Sequence, residues 1–255
     1  MKRFCATVAA ISLALLLFEP SLAAQKTETT LQAGSNNQST ASNQIPTPAP
    51  MNSHIRIVRL SEVTGEVDVY RGLGDKYEPA LLNLPITEGT ELRTDKGFAE
   101  VEFEDGSTLR LAPLSIIEFT QLQLEPSRAK ATTVNVIRGT VYVSLERTPA
   151  NQFMLTFAHQ RAVLAPSSHV RLFLSEQGAS LAVLHGEAAA ETPTGSVAEV
   201  KKKTANFEFL TPTEISLGKN FEAPYDDWDS SAIDYHNHYA KASRYGATAA
   251  AGETA

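Results

Sequence analysis

From His54 to Gly218 the chain is a succession of short runs in which apolar and polar residues alternate. "IRIVRL" (55–60), "GEVDVY" (65–70), "FAEVEF" (98–103), "STLRLA" (107–112), "SIIEF" (115–119), "TVNVIRG" (133–139), "TVYVSL" (140–145), "QFMLTF" (152–157), "HVRLFLS" (169–175) and "ASLAVLHG" (179–186) read as strands. Turn residues separate them: Asp105-Gly106, Thr148-Pro149, Ala165-Pro166-Ser167 and Glu176-Gln177-Gly178. Many short strands with regular punctuation predict an all-β domain over 54–218, and no long window in it has a helical period. Gly65, Gly139 and Gly186 each precede an alternating run. This is either one unit recurring on successive turns of a β-rich stack or a residue choice common at strand starts.

The stretch "FAEVEFEDGSTLRL" (98–111) holds four acids in six positions, Glu100, Glu102, Glu104 and Asp105. Placing Val101 inward puts Ala99 and Phe103 inward and the three glutamates outward. A two-residue Asp105-Gly106 turn would set Glu102 beside Leu109, a carboxylate and a core leucine on one face. A three-residue loop, Glu104-Asp105-Gly106 with Gly106 left-handed, pairs Val101 with Leu109, Ala99 with Leu111 and Glu100 with Arg110. The acids then read as a solvated strand face, with Glu100 and Arg110 as a cross-strand ion pair on it.

The ends differ from the middle. Residues 1–23 have a secretory-signal layout: Lys2 and Arg3, an apolar run from Phe4 to Phe18, and small residues around Ala23 and Ala24. Cys5 is the only cysteine and lies in that run, so cleavage leaves no thiol for a disulfide or metal. No membrane span is expected after cleavage. Residues 24–53, rich in Pro, Ser, Thr and Gln, hold little that can be buried and read as a disordered linker. The C-terminal segment 219–255 changes character. A short aromatic helix beginning at Asp226-Asp227 and ending at Gly246 is predicted, with a frayed tail after it. Trp228, Tyr235 and Tyr239 are its candidate partner-docking residues, Tyr235 and Tyr239 being i,i+4 neighbours.

Charge and chemistry narrow the function. The net charge is −7, and the leader, with two basic residues and one acid, contributes +1, leaving −8. An acidic chain whose one basic run is Lys201-Lys202-Lys203 does not suit nucleic acid. Asp234, His236 and His238 invite a metal site, but on a helix the two histidines stand about 200° apart, so no metal is expected. His159 and His169 flank a 160–168 loop with Ser167 and Ser168, without a Gly-x-Ser-x-Gly elbow. No catalytic residue and no cofactor is assigned.

The sequence resembles the FecR-like domain of bacterial extracytoplasmic proteins. The likeness runs over about 58–191 and rests on Gly65-Glu-Val-Asp-Val69, Thr94, the Asp105-Gly106-Ser107 corner, Leu109, Leu111 and Ser115, with Gly139 and Gly186 in the later, looser part. It implies an all-β, non-catalytic module built as a short β-solenoid or roll, with a β-sandwich as the alternative. Sigma-regulator members place a cytoplasmic segment and a membrane span before this domain; here a leader and linker precede it. The expectation is a non-enzymatic binding module, periplasmic or secreted, that recognises a protein or an envelope polymer. A signalling element working with a separate membrane regulator is the alternative, and a hydrolase of envelope sugars using Glu100, Glu102 or Asp105 is the third class.

Overall fold

A computed structural model describes residues 56–72, 76–209 and 215–252. The leader and linker lie outside the described residues. The strands are β1 (Val58–Thr64), β2 (Val67–Tyr70), β3 (Glu78–Pro79), β4 (Glu91–Thr94), β5 (Phe98–Phe103), β6 (Thr108–Leu111), β7 (Ile116–Leu124) and β8 (Lys130–Ser144). They continue as β9 (Gln152–Phe157), β10 (Gln160–Leu164), β11 (His169–Leu174), β12 (Gly178–His185), β13 (Ala188–Glu191), β14 (Val197–Val200), β15 (Thr204–Glu208) and β16 (Ile215–Gly218), followed by helix α1 (Asp226–Gly252). No described helix is long and apolar enough to cross a membrane.

Pairing divides the strands into two layers joined through β8. Sheet 1 runs β1-β5-β6-β8-β11-β12-β15-β16, and sheet 2 runs β3-β2-β4-β7-β8-β9-β10-β13-β14. The chain alternates between them, one or two hairpins at a time, so each passage adds a rung to both layers. This is a roll whose two layers pack face to face and whose sheet does not close. Alternation supplies the packing. Leu60, Val101, Leu109, Val141 and Leu172 of sheet 1 and Leu92, Ile117, Phe119, Val134 and Leu155 of sheet 2 are fully buried in one core. Edge-to-face ring pairs, Phe103 on Phe153 at 5.5 Å and Phe157 on Phe207 at 5.1 Å, join the layers. The outer edge of β1 is covered: Leu60 N–H donates to Leu84 O and Ile86 N–H to Val58 O, each at 2.9 Å.

The corners between layers share a construction. Residues 133–139 and 140–145, read as two strands, are one 15-residue strand, β8. Residues up to Arg138 pair in sheet 2 and residues from Gly139 pair in sheet 1. Gly139 takes φ +93°, and a Cβ there would sit 2.4 Å from Ser115 Oγ and 2.5 Å from Ser115 Cα. Ser115 Oγ donates to Thr140 O at 3.0 Å and accepts from Thr140 N–H at 2.9 Å, stitching the corner. Gly186 repeats this. Its Cβ would lie 2.8 Å from Ser168 Cα, and Ser168 Oγ bridges both backbone groups of Glu187. The two serines end Ala112-Pro113-Leu114-Ser115 and Ala165-Pro166-Ser167-Ser168, and the residue before each is left-handed (Leu114 φ 63°, Ser167 φ 60°). Gly65, at φ 72°, turns against Gly97 instead.

Three local readings need correction. Residues 160–164, taken as part of a loop, form β10, because Ala162 and Leu164 face the core. Strands β13 to β16 extend the stack past residue 186 with runs too short to stand out by pattern. Helix α1 passes through Gly246 to Gly252, since one glycine costs a helix only about 1 kcal/mol.

The two kinds of glycine should separate in unfolding experiments. Gly106 is also left-handed, at φ 86°, but a Cβ there meets nothing nearer than Glu146 Cγ at 3.5 Å. Gly106→Ala should cost only the left-handed penalty of about 1–2 kcal/mol. Gly139→Ala adds a steric collision of about 1–3 kcal/mol. Urea midpoints should therefore fall further for Gly139→Ala; equal shifts would show that the Ser115 contact is not the constraint.

Candidate functional site

The hairpin of β5 and β6 has the register that alternation requires, Ala99 with Leu111, Glu100 with Arg110 and Val101 with Leu109. Asp105 and Ser107 hold it. The Asp105 carboxylate accepts from Ser107 N–H at 3.0 Å, Thr148 Oγ at 3.0 Å and Asn151 Nδ2 at 2.8 Å, and Glu146 N–H donates to Ser107 Oγ at 3.0 Å. Burial alone would raise the Asp105 pKa; these hydrogen bonds, Ser107's foremost, outweigh it and hold it low. Thr94 does similar work at another corner, where Oγ1 donates to Ala112 O at 2.7 Å and accepts from Ser115 N–H at 3.0 Å. Thr94, Asp105, Ser107, Gly139 and Gly186 thus sit at corners that set strand register.

That register builds a row across the outer face of sheet 1. Glu100 on β5 lies opposite Arg110 on β6, Arg110 opposite Tyr142 on β8, and Tyr142 opposite Arg171 on β11. This face is not wet, as the alternation alone suggested. Arg110 and Tyr142 have no exposure, Arg171 has 2% and Glu100 3%. Helix α1 covers them. Asp226, Asp229 and His236 fall on one helical face, and ten residues of helix rise about 15 Å. Three strand spacings of about 4.8 Å span much the same length, so the helix crosses the strands with its charges in step with the row.

The contacts follow that order. Arg171 pairs with both oxygens of Asp226, and its Nη2 donates to Phe221 O at 2.9 Å. Tyr142 OH donates to Asp226 Oδ1 at 2.8 Å. Arg110 Nε donates to Asp229 Oδ1 at 2.8 Å, and Arg110 Nη1 to Glu100 Oε2 at 3.1 Å and Thr108 Oγ1 at 2.9 Å. His236 Nε2 sits 2.8 Å and 2.9 Å from the two Glu100 oxygens, and Ser61 Oγ donates to Glu100 Oε1 at 2.7 Å. His169 Nε2 lies 2.7 Å from Asp229 Oδ2, a charge contact without hydrogen-bond alignment. Trp228 adds the aromatic contact, its ring 4.5 Å from Phe98 and 6.3 Å from Tyr142. Three acids in the first turn, Asp226, Asp227 and Asp229, also suit the positive end of the helix.

The electrostatics make this a coupled latch. Burial pushes the Glu100 carboxyl up, but hydrogen bonds from His236 and Ser61 and the charges of His236 and Arg110 bring it below its ordinary range. Burial likewise raises Asp226, and Arg171, Ala223 N–H and Tyr142 reverse that. The Glu100 hydrogen bond holds His236 above its ordinary value against partial burial. Burial first, then Asp226, pushes the Tyr142 phenol up. A carboxyl held low and enclosed by Arg110, His236 and Ser61 is a poor general acid. The Asp105 carboxylate is occupied by three donors, and Glu102 faces Arg59 at 2.6 Å.

The sequence-named docking residues divide. Trp228 is packed beneath the helix, whereas Tyr235 and Tyr239 stack on each other at 6.1 Å and are each 66% exposed. The helix covers the face of sheet 1, not an open end of the roll. Where it leaves the sheet it roofs a groove of about 680 Å³ between Tyr235, Tyr239 and His236 above and Arg59, Glu62 and Glu102 below. Asp234 and His238 point to solvent, away from His236. Among the described residues no group of three metal-ligating side chains forms. Pattern reading missed Phe98, Tyr142, Arg171, Asp226 and Asp229. The available signal was four bulky residues, Phe98, Arg110, Tyr142 and Arg171, at outward positions of neighbouring strands.

The latch has a defined pH window. Glu100 and Asp226, held low, stabilise docking above their ordinary values of 4.5 and 3.8, and lose that contribution as pH falls through their lowered ones. His236, held high, contributes fully below 6.5 and stops contributing as pH rises through its raised value. Docking should be strongest from about pH 5 to 6.5. Trp228 is the chain's one tryptophan, so its emission should be bluest in that window and move red on either side. His236→Ala should abolish the alkaline limb and keep the acidic one; an unaltered alkaline limb would remove His236 from the latch.

Comparison with known proteins bears on the strands under the helix. Two crystal structures of a candidate anti-sigma factor from Parabacteroides distasonis ATCC 8503 are similar, each at 12% identity and a TM-score of 0.42, over 51% of this chain and 60% of that one. The alignment therefore spans less than two thirds of that protein. No curated protein matches the chain. The family model described as FecR protein matches residues 90–189. The match contains Glu100, Arg110, Tyr142 and Arg171 and leaves out α1. Over residues 90–189, from the entry of β4 into β13, this chain is thus FecR-like.

Proposed function

We propose that the protein is an exported, non-enzymatic recognition module with a signalling-related regulatory role, acting on a protein partner outside the cytoplasm. The FecR match over the strands that carry the Glu100–Arg171 row is the observation that carries this reading. The chemistry of the face agrees with it. Its carboxylates Glu100, Asp226 and Asp229 are committed to arginine and histidine partners, an arrangement suited to holding a complementary surface and not to turning over a substrate. Export rests on the basic, apolar and small-residue order of residues 1–23.

Deletion of the gene in its own host, followed by transcript profiling, tests the reading. A defined set of transcripts should change and be restored by the full chain, whose mature form should begin at residue 24 or 25. A chain lacking residues 2–23 should fail to restore them. Unchanged transcription in the deletion strain would overturn the signalling role, and an uncleaved N-terminus in the cytoplasm would overturn export.

A further inference from the structure

The face beneath α1 is built from groups that a sheet does not ordinarily leave uncovered. Two guanidiniums, Arg110 and Arg171, stand on its outer side with almost no exposure. Buried arginines demand carboxylates, and α1 supplies them from Asp226 and Asp229, one turn apart, with Trp228 between them against Phe98. Among the described side chains of α1 the one fully buried is Asp229, an acid. The fully buried contact of the helix is therefore ionic, flanked by the Trp228 ring and by half-buried Ala232 and Ile233.

The fit is also incomplete. Arg110 Nη2 is buried without a hydrogen-bond partner, and the 2.7 Å contact of His169 Nε2 with Asp229 Oδ2 lacks hydrogen-bond alignment. A buried polar atom left unpaired costs about 1–3 kcal/mol, so α1 occupies this face without filling it. Its tether, residues 219–225, stays fastened at the sheet: Asn220 Nδ2 donates to Val183 O at 2.8 Å, and the Arg171 guanidinium lies 5.1 Å from the Phe221 ring centre. The far part of the helix carries the exposed, stacked Tyr235 and Tyr239 over an open groove. A helix held at its root, ionic along its contact and exposed at Tyr235 and Tyr239 can be exchanged for another.

We infer that the outer face of sheet 1 is a receptor surface for an acidic, aromatic-bearing helix of a partner protein, and that α1 occupies it in cis as a displaceable copy of that ligand. The partner helix presents two carboxylates three residues apart to Arg110 and Arg171, and an aromatic side chain to Phe98 and Tyr142. One further acceptor aimed at Arg110 Nη2 gives it the advantage over α1. The inference rests on the reading that the module recognises a protein, and it names the chemistry of that protein.

The probe is a synthetic peptide of residues 219–239 carrying Trp228→Phe, which is dark in tryptophan fluorescence, added to the full chain. Saturable displacement should move Trp228 emission to that of a solvated indole. The same peptide with Asp226→Asn and Asp229→Asn should require more than about tenfold higher concentration, the loss expected when carboxylates to buried arginines are removed. Fluorescein-labelled peptide should also bind full-length Asp229→Asn more tightly than wild type, provided circular dichroism shows its strands intact. No binding to either chain, equal displacement by the Asn peptide, or binding that leaves Trp228 emission unmoved would each overturn the inference. Failure here with transcription still altered by deletion sinks the receptor surface alone. Displacement with transcription unaltered sinks the signalling role alone.

Discussion

A guanidinium with no exposure must find its counter-charges inside the protein, and Arg110 takes them from two separate elements. Glu100 reaches it across the β5–β6 hairpin, and Asp229 reaches it from a helix 119 residues further along the chain. Either alone would leave part of the charge uncompensated in a site from which water is excluded. Arg171 repeats the demand and Asp226 meets it, so the helix and the sheet are bound by two arginines that neither could bury alone. His236 completes the set at the Glu100 end, so that with its ring protonated three cations face three carboxylates. The balance ties the position of a helix to the protonation of one imidazole.

The latch depends in turn on register. A slip of one residue in β5, β6, β8 or β11 would turn one member of the row into the core. Devices remote from the helix prevent that. Asp105 and Ser107 fasten the hairpin to the 146–151 loop, and Gly139 against Ser115 fixes where β8 passes from sheet 2 to sheet 1. Corner residues that do not touch the helix thereby align the charges that hold it. The FecR match covers these corners and the row and stops before α1.

Much of this was legible in the chain. Alternation placed Val101 over Leu109 and Glu100 beside Arg110, and the left-handed Gly106 followed from rejecting the two-residue turn. The strand rich region and the start of the helix at Asp226 were readable for the same reason, a period or a cap expressed in neighbouring residues. The Glu100–Arg110 pair was found but taken as exposed. Period-2 reading separates one face of a strand from the other and contains no information about what lies on the second face. The docking of helix α1 on sheet 1 escaped because amphipathic patterns are sought in apolar residues, whereas its docked face carries Asp226, Asp229 and His236. Short strands such as β13, with four residues, carry too few alternations to rise above the background.

By itself the sequence determined the local choices: which residues extend, where glycine lets the chain turn, which side of each strand is apolar, and where the register of the first hairpin must fall. These depend on neighbours within a few positions, so they are written in the order of residues. Tertiary structure alone decided that the outer face of sheet 1 is covered, that Arg110 and Arg171 are buried, and that acids and a histidine that look solvated hold a helix in place. Those outcomes depend on the electrostatic cost of removing charges from water, and that cost is set by partners 55 to 136 residues away along the chain.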